Sequence, residues 1–174
     1  MVVAALVVSS AAVAKADTLT YTLSEQGVST PLATWTMSST PTPNCPSQGL
    51  SPCYVIGDFF GLDENVYLDG SSTPTLDTLV FFNTSAGDVV LNDTDFFIPE
   101  LTTTDPTQQL YSNNEANPEM VIPPSGAFTF GSDTPGFQDD VFILTVTTPE
   151  PGTITFVGLG LAGLLLFRRR QFAL

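Results

Sequence analysis

Two kinds of side chain in this chain have the type and spacing to do chemistry: clustered carboxylates and one pair of cysteines. The carboxylates cluster at three places: Asp58 with Asp63 and Glu64, Asp93 with Asp95, and Asp139 with Asp140. Oxygen ligands at such spacing can bind calcium, and two carboxylates at a suitable separation can catalyse the hydrolysis of a glycoside. None matches the aspartate-rich calcium loop. We therefore interpret them as solvated turn residues, with a calcium site and an acid-pair hydrolase as alternatives.

The two cysteines, Cys45 and Cys53, bracket a loop of Pro, Gly and Ser residues. Outside the cytoplasm, two cysteines this close favour a single disulfide that staples a surface hairpin. Metal binding would need further Cys or His ligands, and the sequence has none. The pair therefore predicts a disulfide, with neither a metal nor a cofactor.

The charges are separated along the chain. All 18 acidic residues lie between Asp17 and Glu150, whereas the four basic residues, Lys15 and Arg168 to Arg170, lie outside that stretch, and there is no histidine. A segment without cations cannot neutralise the phosphates of a nucleic acid. It also lacks the His base and the Lys nucleophile of many enzymes. The composition predicts a non-enzymatic body that is kept soluble by its acidity and does not bind nucleic acid.

Short runs of alternating apolar and hydroxyl residues dominate the segment 17–147, and clusters of Gly, Pro, Asn and Asp separate them. The predicted strands are Thr18–Ser24, Leu32–Met37, Tyr54–Phe60, Val66–Leu68, Leu76–Phe82, Val89–Leu91, Phe96–Ile98, Ala127–Phe130 and Val141–Val146. Such a series is typical of an antiparallel β-sandwich. The polar stretch Leu101–Pro124 is predicted to be a long loop, with Gln108–Tyr111 as a brief edge strand.

The first 16 residues have the pattern of a signal peptide. An apolar run from Val2 to Val13 is followed by Ala14-Lys15-Ala16, the small-x-small pattern that signal peptidase cleaves. The run is too short to span a membrane. No Lys or Arg precedes it, so we expect that the true start of the protein lies upstream.

The C-terminal residues combine three features in a fixed order. Pro149-Glu150-Pro151 comes first, an uncharged apolar run from Thr153 to Phe167 follows, and Arg168, Arg169 and Arg170 close it. As a helix the apolar run would cover about 22 Å, which snorkelling arginines and local thinning can fit to a bilayer. Because positive residues remain on the cytoplasmic side, we expect a short membrane helix with a cytoplasmic C-terminus and an exported body.

These three features resemble the PEP-CTERM sorting signal of exported bacterial proteins, a tail that is also catalogued as an ice-binding protein C-terminal domain. The resemblance covers residues 148–171. It implies that an exosortase-like enzyme recognises and processes the tail near Pro149-Glu150-Pro151 while the protein is transiently anchored in the cytoplasmic membrane. The two prolines hold the chain extended, a form that a peptidase can bind.

The sequence thus predicts three segments: a signal peptide at 1–16, a β-sandwich ectodomain at 17–147 and a sorting tail at 148–171. The leading hypothesis is an exported structural protein of the cell surface or extracellular matrix, with exopolysaccharide as a further partner. The alternative is a carbohydrate- or calcium-binding module that uses the acidic turns or the aromatic residues Trp35, Tyr54, Tyr67 or Tyr111.

Overall fold

Alternation of apolar and hydroxyl side chains produces the β-strands of this protein. The computed structural model describes residues 18–45, 52–83, 89–93, 97–112 and 114–148. Within these ranges the strands are β1 (Thr18–Glu25), β2 (Ala33–Ser38), β3 (Tyr54–Val55), β4 (Phe59–Leu68), β5 (Thr75–Phe82), β6 (Val89–Asp93), β7 (Leu101–Thr102), β8 (Ala127–Ser132) and β9 (Phe142–Thr147), with a 3₁₀ turn at Pro106–Gln108.

The strands form one antiparallel sheet that closes on itself. The order is β2-β1-β9-β8-β7-β6-β5-β4-β3, and β2 also pairs with β4 through Ala33 opposite Leu68 and Thr34 opposite Tyr67. Eight strands thereby make a closed barrel, and β3 lies beyond it as an additional partner of β4. The predicted all-β antiparallel class is confirmed. The predicted sandwich is not, because strand alternation has the same period in a sandwich and in a barrel.

Apolar side chains fill the barrel, as is usual for a barrel of this strand number. Residues that lie opposite each other on neighbouring strands stack their rings: Tyr21 with Trp35 at 5.3 Å between centroids, and Phe60 with Phe81 at 5.0 Å. On β1, β2 and β9 the alternate positions point outward, and all of them are threonines or serines except Ile143 of β9. The interior is therefore a packed core, and the hydroxyl-rich face meets solvent.

Several strand boundaries differ from the sequence prediction. Predicted strands at 54–60 and 66–68 are replaced by the two-residue β3, a turn at Gly57 with φ of +80°, and an unbroken β4. Residues 97 and 98 lie outside any strand, and Phe96 lies outside the described residues. The predicted loop 101–124 begins with β7.

The edge strand predicted at 108–111 is also wrong. The chain there leaves the 3₁₀ turn, and Tyr111 makes an isolated antiparallel bridge to Met120.

The signal peptide and the membrane helix that the sequence predicts lie outside the described residues. Among the residues that are described, no helix has the length and apolar character needed to cross a membrane.

Candidate functional site

The end of β9 is the last described part of the chain before the tail. Thr147 closes β9 opposite Thr20 of β1, and the Val146 amide donates to the Gly126 carbonyl at 2.9 Å. Strand β9 is therefore paired with β1 up to its last residue and is hydrogen-bonded on its other side up to Val146. Thr148 follows and is exposed. The predicted sorting residues Pro149, Glu150 and Pro151 and the arginines 168–170 lie outside the described residues.

A tight turn lies beside this strand end. In the turn 123–126 the Gly126 amide donates to the Pro123 carbonyl at 2.9 Å, and Gly126 has the left-handed φ of +74° that favours glycine. Pro124 and Ser125 of the turn are exposed, as is the first residue of β1. We define the β9 rim as Thr18, Thr20, Pro124, Ser125, Thr147 and Thr148. No member of the rim carries a charge.

The predicted disulfide is present. Cys45 and Cys53 are bonded, with their Cα atoms 5.6 Å apart. The Gly61 amide of β4 donates to the Cys53 carbonyl at 2.7 Å, and the Asn44 amide donates to the Gly61 carbonyl at 3.0 Å. A Cβ atom at position 61 would lie 3.4 Å from the Cβ of the buried Cys45. The disulfide ring therefore rests directly on β4, at a position where glycine leaves room for it.

Sequence reasoning missed a buried carboxylate with several hydrogen-bond donors around it, Glu115. It is 2% exposed and accepts hydrogen bonds from the Gly57 amide at 3.0 Å, Asn83 Nδ2 at 2.9 Å and the Tyr111 hydroxyl at 3.2 Å. Burial acts to raise the pKa of this carboxyl, but the hydrogen bonds outweigh it and hold the pKa below its ordinary value. Donors surround both oxygens, so Glu115 fastens three segments of the chain together.

Tyr111 belongs to the same cluster. Its ring meets Phe60 edge-on in the core, with the centroids 4.9 Å apart. Burial raises the pKa of its phenol far above the ordinary value, and the negative charges of Glu115 and Asp58 add to this. The hydroxyl is therefore a permanent donor to Glu115 at physiological pH.

The predicted carboxylate clusters have different environments. Asp93 is buried and accepts from the amides of Phe97 and Ile98, so its interpretation as a solvated turn residue is wrong. Its neighbour Asp95 lies outside the described residues. Asp139 is exposed on the β8–β9 connection and fits the solvated interpretation.

In the remaining cluster, Asp63 and Glu64 lie on β4 and Asp58 immediately precedes it. Asp63 accepts from the Thr78 hydroxyl at 2.6 Å, and Glu64 beside it is half-buried. Burial first, and then the Asp63 charge, raise the pKa of Glu64. In the part of the chain that the structure describes, no three His, Cys, Asp or Glu side chains are grouped so that they could hold a metal ion.

The aromatic residues proposed for carbohydrate binding are dispersed. Trp35 and Tyr111 are each 1% exposed and belong to the core. Tyr54 and Tyr67 are exposed. Tyr54 lies opposite Phe60, near the start of β4, and Tyr67 lies near its end. Positions 60 and 67 are about 23 Å apart along an extended strand, too far for both tyrosines to bind one sugar ring.

A surface pocket of about 230 Å³ lies between the segment after β2 and the loop that follows Glu115. It is lined by Thr40, Pro41, Thr42, Ala116, Asn117, Pro118 and Glu119. Glu119 is the single carboxylate in this lining. An acid-pair hydrolase needs two carboxylates across a cleft, and this pocket does not provide them.

Comparison with known proteins adds one match. Residues 147–170 match the family of the PEP-CTERM protein-sorting motif. The chain therefore carries a PEP-CTERM motif, as the resemblance at residues 148–171 implied, and the match begins at the last residue of β9. Searches of curated proteins and of solved structures returned no match.

Proposed function

We propose that this is an exported structural protein of the cell surface or extracellular matrix, which an exosortase-like peptidase processes at Pro149-Glu150-Pro151. The observation that carries the proposal is the match of residues 147–170 to the PEP-CTERM motif. The tail first anchors the protein in the cytoplasmic membrane with Arg168 to Arg170 on the cytoplasmic side. Cleavage then releases the barrel for the cell surface or the matrix, with exopolysaccharide as its neighbour there.

Three physical properties of the barrel suit a protein that is exported from the cell. A disulfide persists in an oxidising compartment, and Cys45 and Cys53 form one. A closed barrel removes most of the open strand edges through which β-proteins aggregate. The acidic residues of the segment 17–151 have no Lys, Arg or His to pair with, so they give it a formal charge of −18 and keep it well solvated.

We also propose that the barrel is not a catalyst. Its sequence offers no His or Lys as base or nucleophile. The buried carboxylate of Glu115 is surrounded by donors from the chain itself. A carboxylate engaged in this way stabilises the fold and has little capacity to take a proton from a substrate.

The experiment that tests this proposal measures processing and location of the full-length chain in cells that express an exosortase. Pro149→Ala combined with Pro151→Ala should leave the protein unprocessed in the membrane fraction, because the extended backbone that the prolines impose is lost. Deleting residues 149–174 should release the barrel into the medium or leave it unsorted. The matched control is Pro135→Ala, in an exposed turn of the barrel. If the double variant is processed and located like the wild type, the proposal is wrong.

A further inference from the structure

The sorting motif follows the barrel without a spacer. The matched segment begins at residue 147, which is also the last residue of β9, so one residue, Thr148, separates β9 from Pro149. A chain spans at most about 3.6 Å per residue. The Cα atom of Pro149 therefore lies within about 7 Å of that of Thr147. A protein that binds Pro149 must therefore lie close to the end of the barrel.

The sides of β9 are already occupied at this point. A peptidase that binds an extended segment commonly adds a strand beside it, about 4.8 Å away. Beside the end of β9, one such position is filled by β1, where Thr20 lies opposite Thr147. The other is filled by Gly126, whose carbonyl accepts from the Val146 amide. While the barrel is folded, the enzyme cannot lie alongside β9 and must approach end-on, against the residues that surround the strand end.

The β9 rim is suited to such a contact. Thr18, Pro124 and Ser125 are exposed, and the rim carries only threonine, serine and proline side chains. The rim residues themselves carry no carboxylate, although the body has many and no Lys, Arg or His to pair with them. Burying an unpaired charge would oppose docking, and the rim avoids that penalty.

We propose that the β9 rim is a docking surface for the sorting peptidase, so that the enzyme recognises the folded barrel end together with the motif. This inference rests on the proposed function. The barrel is then more than the part of the protein that is exported, because its end also binds the enzyme that processes the tail.

A photo-crosslinking amino acid at Pro124 tests the contact. The matched control is the same amino acid at Pro135. Both prolines are exposed, and each is the second residue of a hydrogen-bonded turn that contains a glycine of positive φ. They differ in location, because Pro124 precedes β8 and Pro135 follows it, so they lie at opposite ends of that strand. In cells with an epitope-tagged exosortase, position 124 should crosslink to the tagged enzyme at least fivefold more than position 135.

A second variant separates contact from mere proximity. With a ten-residue Gly/Ser spacer between Thr148 and Pro149, crosslinking at position 124 should stay above the level of position 135, because a docking surface still binds the enzyme when the tether is longer, whereas crosslinking through proximity alone is lost. In the chain without the spacer, Pro124→Glu should slow processing several-fold, and Pro135→Glu should not. Thermal unfolding of each variant shows that the barrel is intact.

The outcomes are distinct. Equal crosslinking from both prolines, or crosslinking at position 124 that the spacer reduces to the level of position 135, overturns the docking surface while processing of the wild type still supports the proposed function. A wild-type chain that the exosortase neither crosslinks nor processes overturns both.

Discussion

Glu64 on β4 lies directly opposite Asp77 on β5 in the antiparallel register. Two positions along, Leu62 lies opposite Leu79 and both belong to the core, and side chains two residues apart on a strand share a face. The two carboxyl groups therefore project toward the barrel interior, where Asp77 is 1% exposed and Glu64 is half-buried. Ionising Glu64 in this position is costly, because burial and the neighbouring Asp63 charge both disfavour its charged form.

Glu64→Gln should therefore stabilise the barrel at neutral pH. We expect the free energy of unfolding to rise by up to about 1 kcal/mol at pH 7. Because the pKa of Glu64 is raised in the folded state, first by burial and then by Asp63, the cost of ionising it is present above the folded pKa. That cost vanishes below the unfolded pKa of about 4.3. Urea denaturation at pH 7 and at pH 4 should show the gain only at pH 7.

The control for this prediction is Asp139→Asn, which removes one negative charge from an exposed position. It should change stability by less than about 0.5 kcal/mol. A Glu64→Gln variant that is less stable than the wild type at pH 7 would show that the carboxylate makes a net favourable interaction, contrary to this prediction.

Glu115→Ala should destabilise the barrel by about 2 to 4 kcal/mol, because the Gly57 amide, Asn83 and the Tyr111 hydroxyl lose a shared buried acceptor. The pH dependence has the opposite sign to that of Glu64. The pKa of Glu115 is lowered in the folded state, so its stabilisation is present above the unfolded pKa of about 4.3. It is lost as the pH falls through the folded pKa.

Chemical denaturation at pH 7 measures this loss, with Asp133→Ala at an exposed position as the control. If Glu115→Ala and Asp133→Ala are equally stable, Glu115 does not fasten these segments, and the hydrogen bonds contribute no net free energy.

The sequence predicted correctly those features that residues close together in the chain determine. Unbroken alternation identified β1, β2 and β9, and the short separation of the cysteines identified the disulfide. The sorting motif could be recognised from the sequence because its three parts follow one another within a single segment. In contrast, β4 was predicted in two pieces, because Asp63-Glu64-Asn65 reads as a turn. Pairing with β5 keeps these residues in a strand, since sheet context outweighs intrinsic preference.

The remaining features depend on contacts between distant residues, which one sequence does not reveal. Closure of the barrel rests on two residue pairs that join β2 to β4. Glu115 looks like any acidic loop residue in the sequence. It acquires its role from Gly57, 58 positions earlier, and from Asn83, 32 positions earlier.

Salt should stabilise the barrel through screening alone. Raising the ionic strength from about 0.01 M to 0.15 M shortens the Debye length from about 30 Å to 8 Å and weakens the repulsion among the carboxylates. We expect the melting temperature to rise by a few degrees, equally in NaCl and in MgCl₂ or CaCl₂ at matched ionic strength. A further rise in CaCl₂ alone would reveal a specific calcium site and would support the calcium-binding alternative.

Opening the disulfide should cost about 2 to 3 kcal/mol, the loop-closure term for a ring of nine residues. Reduction followed by alkylation should lower the midpoint of chemical denaturation of the wild type and leave a Cys45→Ala, Cys53→Ala variant unchanged. The double variant is a necessary control because Cys45 is buried against β4, so its replacement also removes packing. Alkylation of the exported wild type without reductant would show that the thiols are free, and would contradict both this prediction and an oxidising destination.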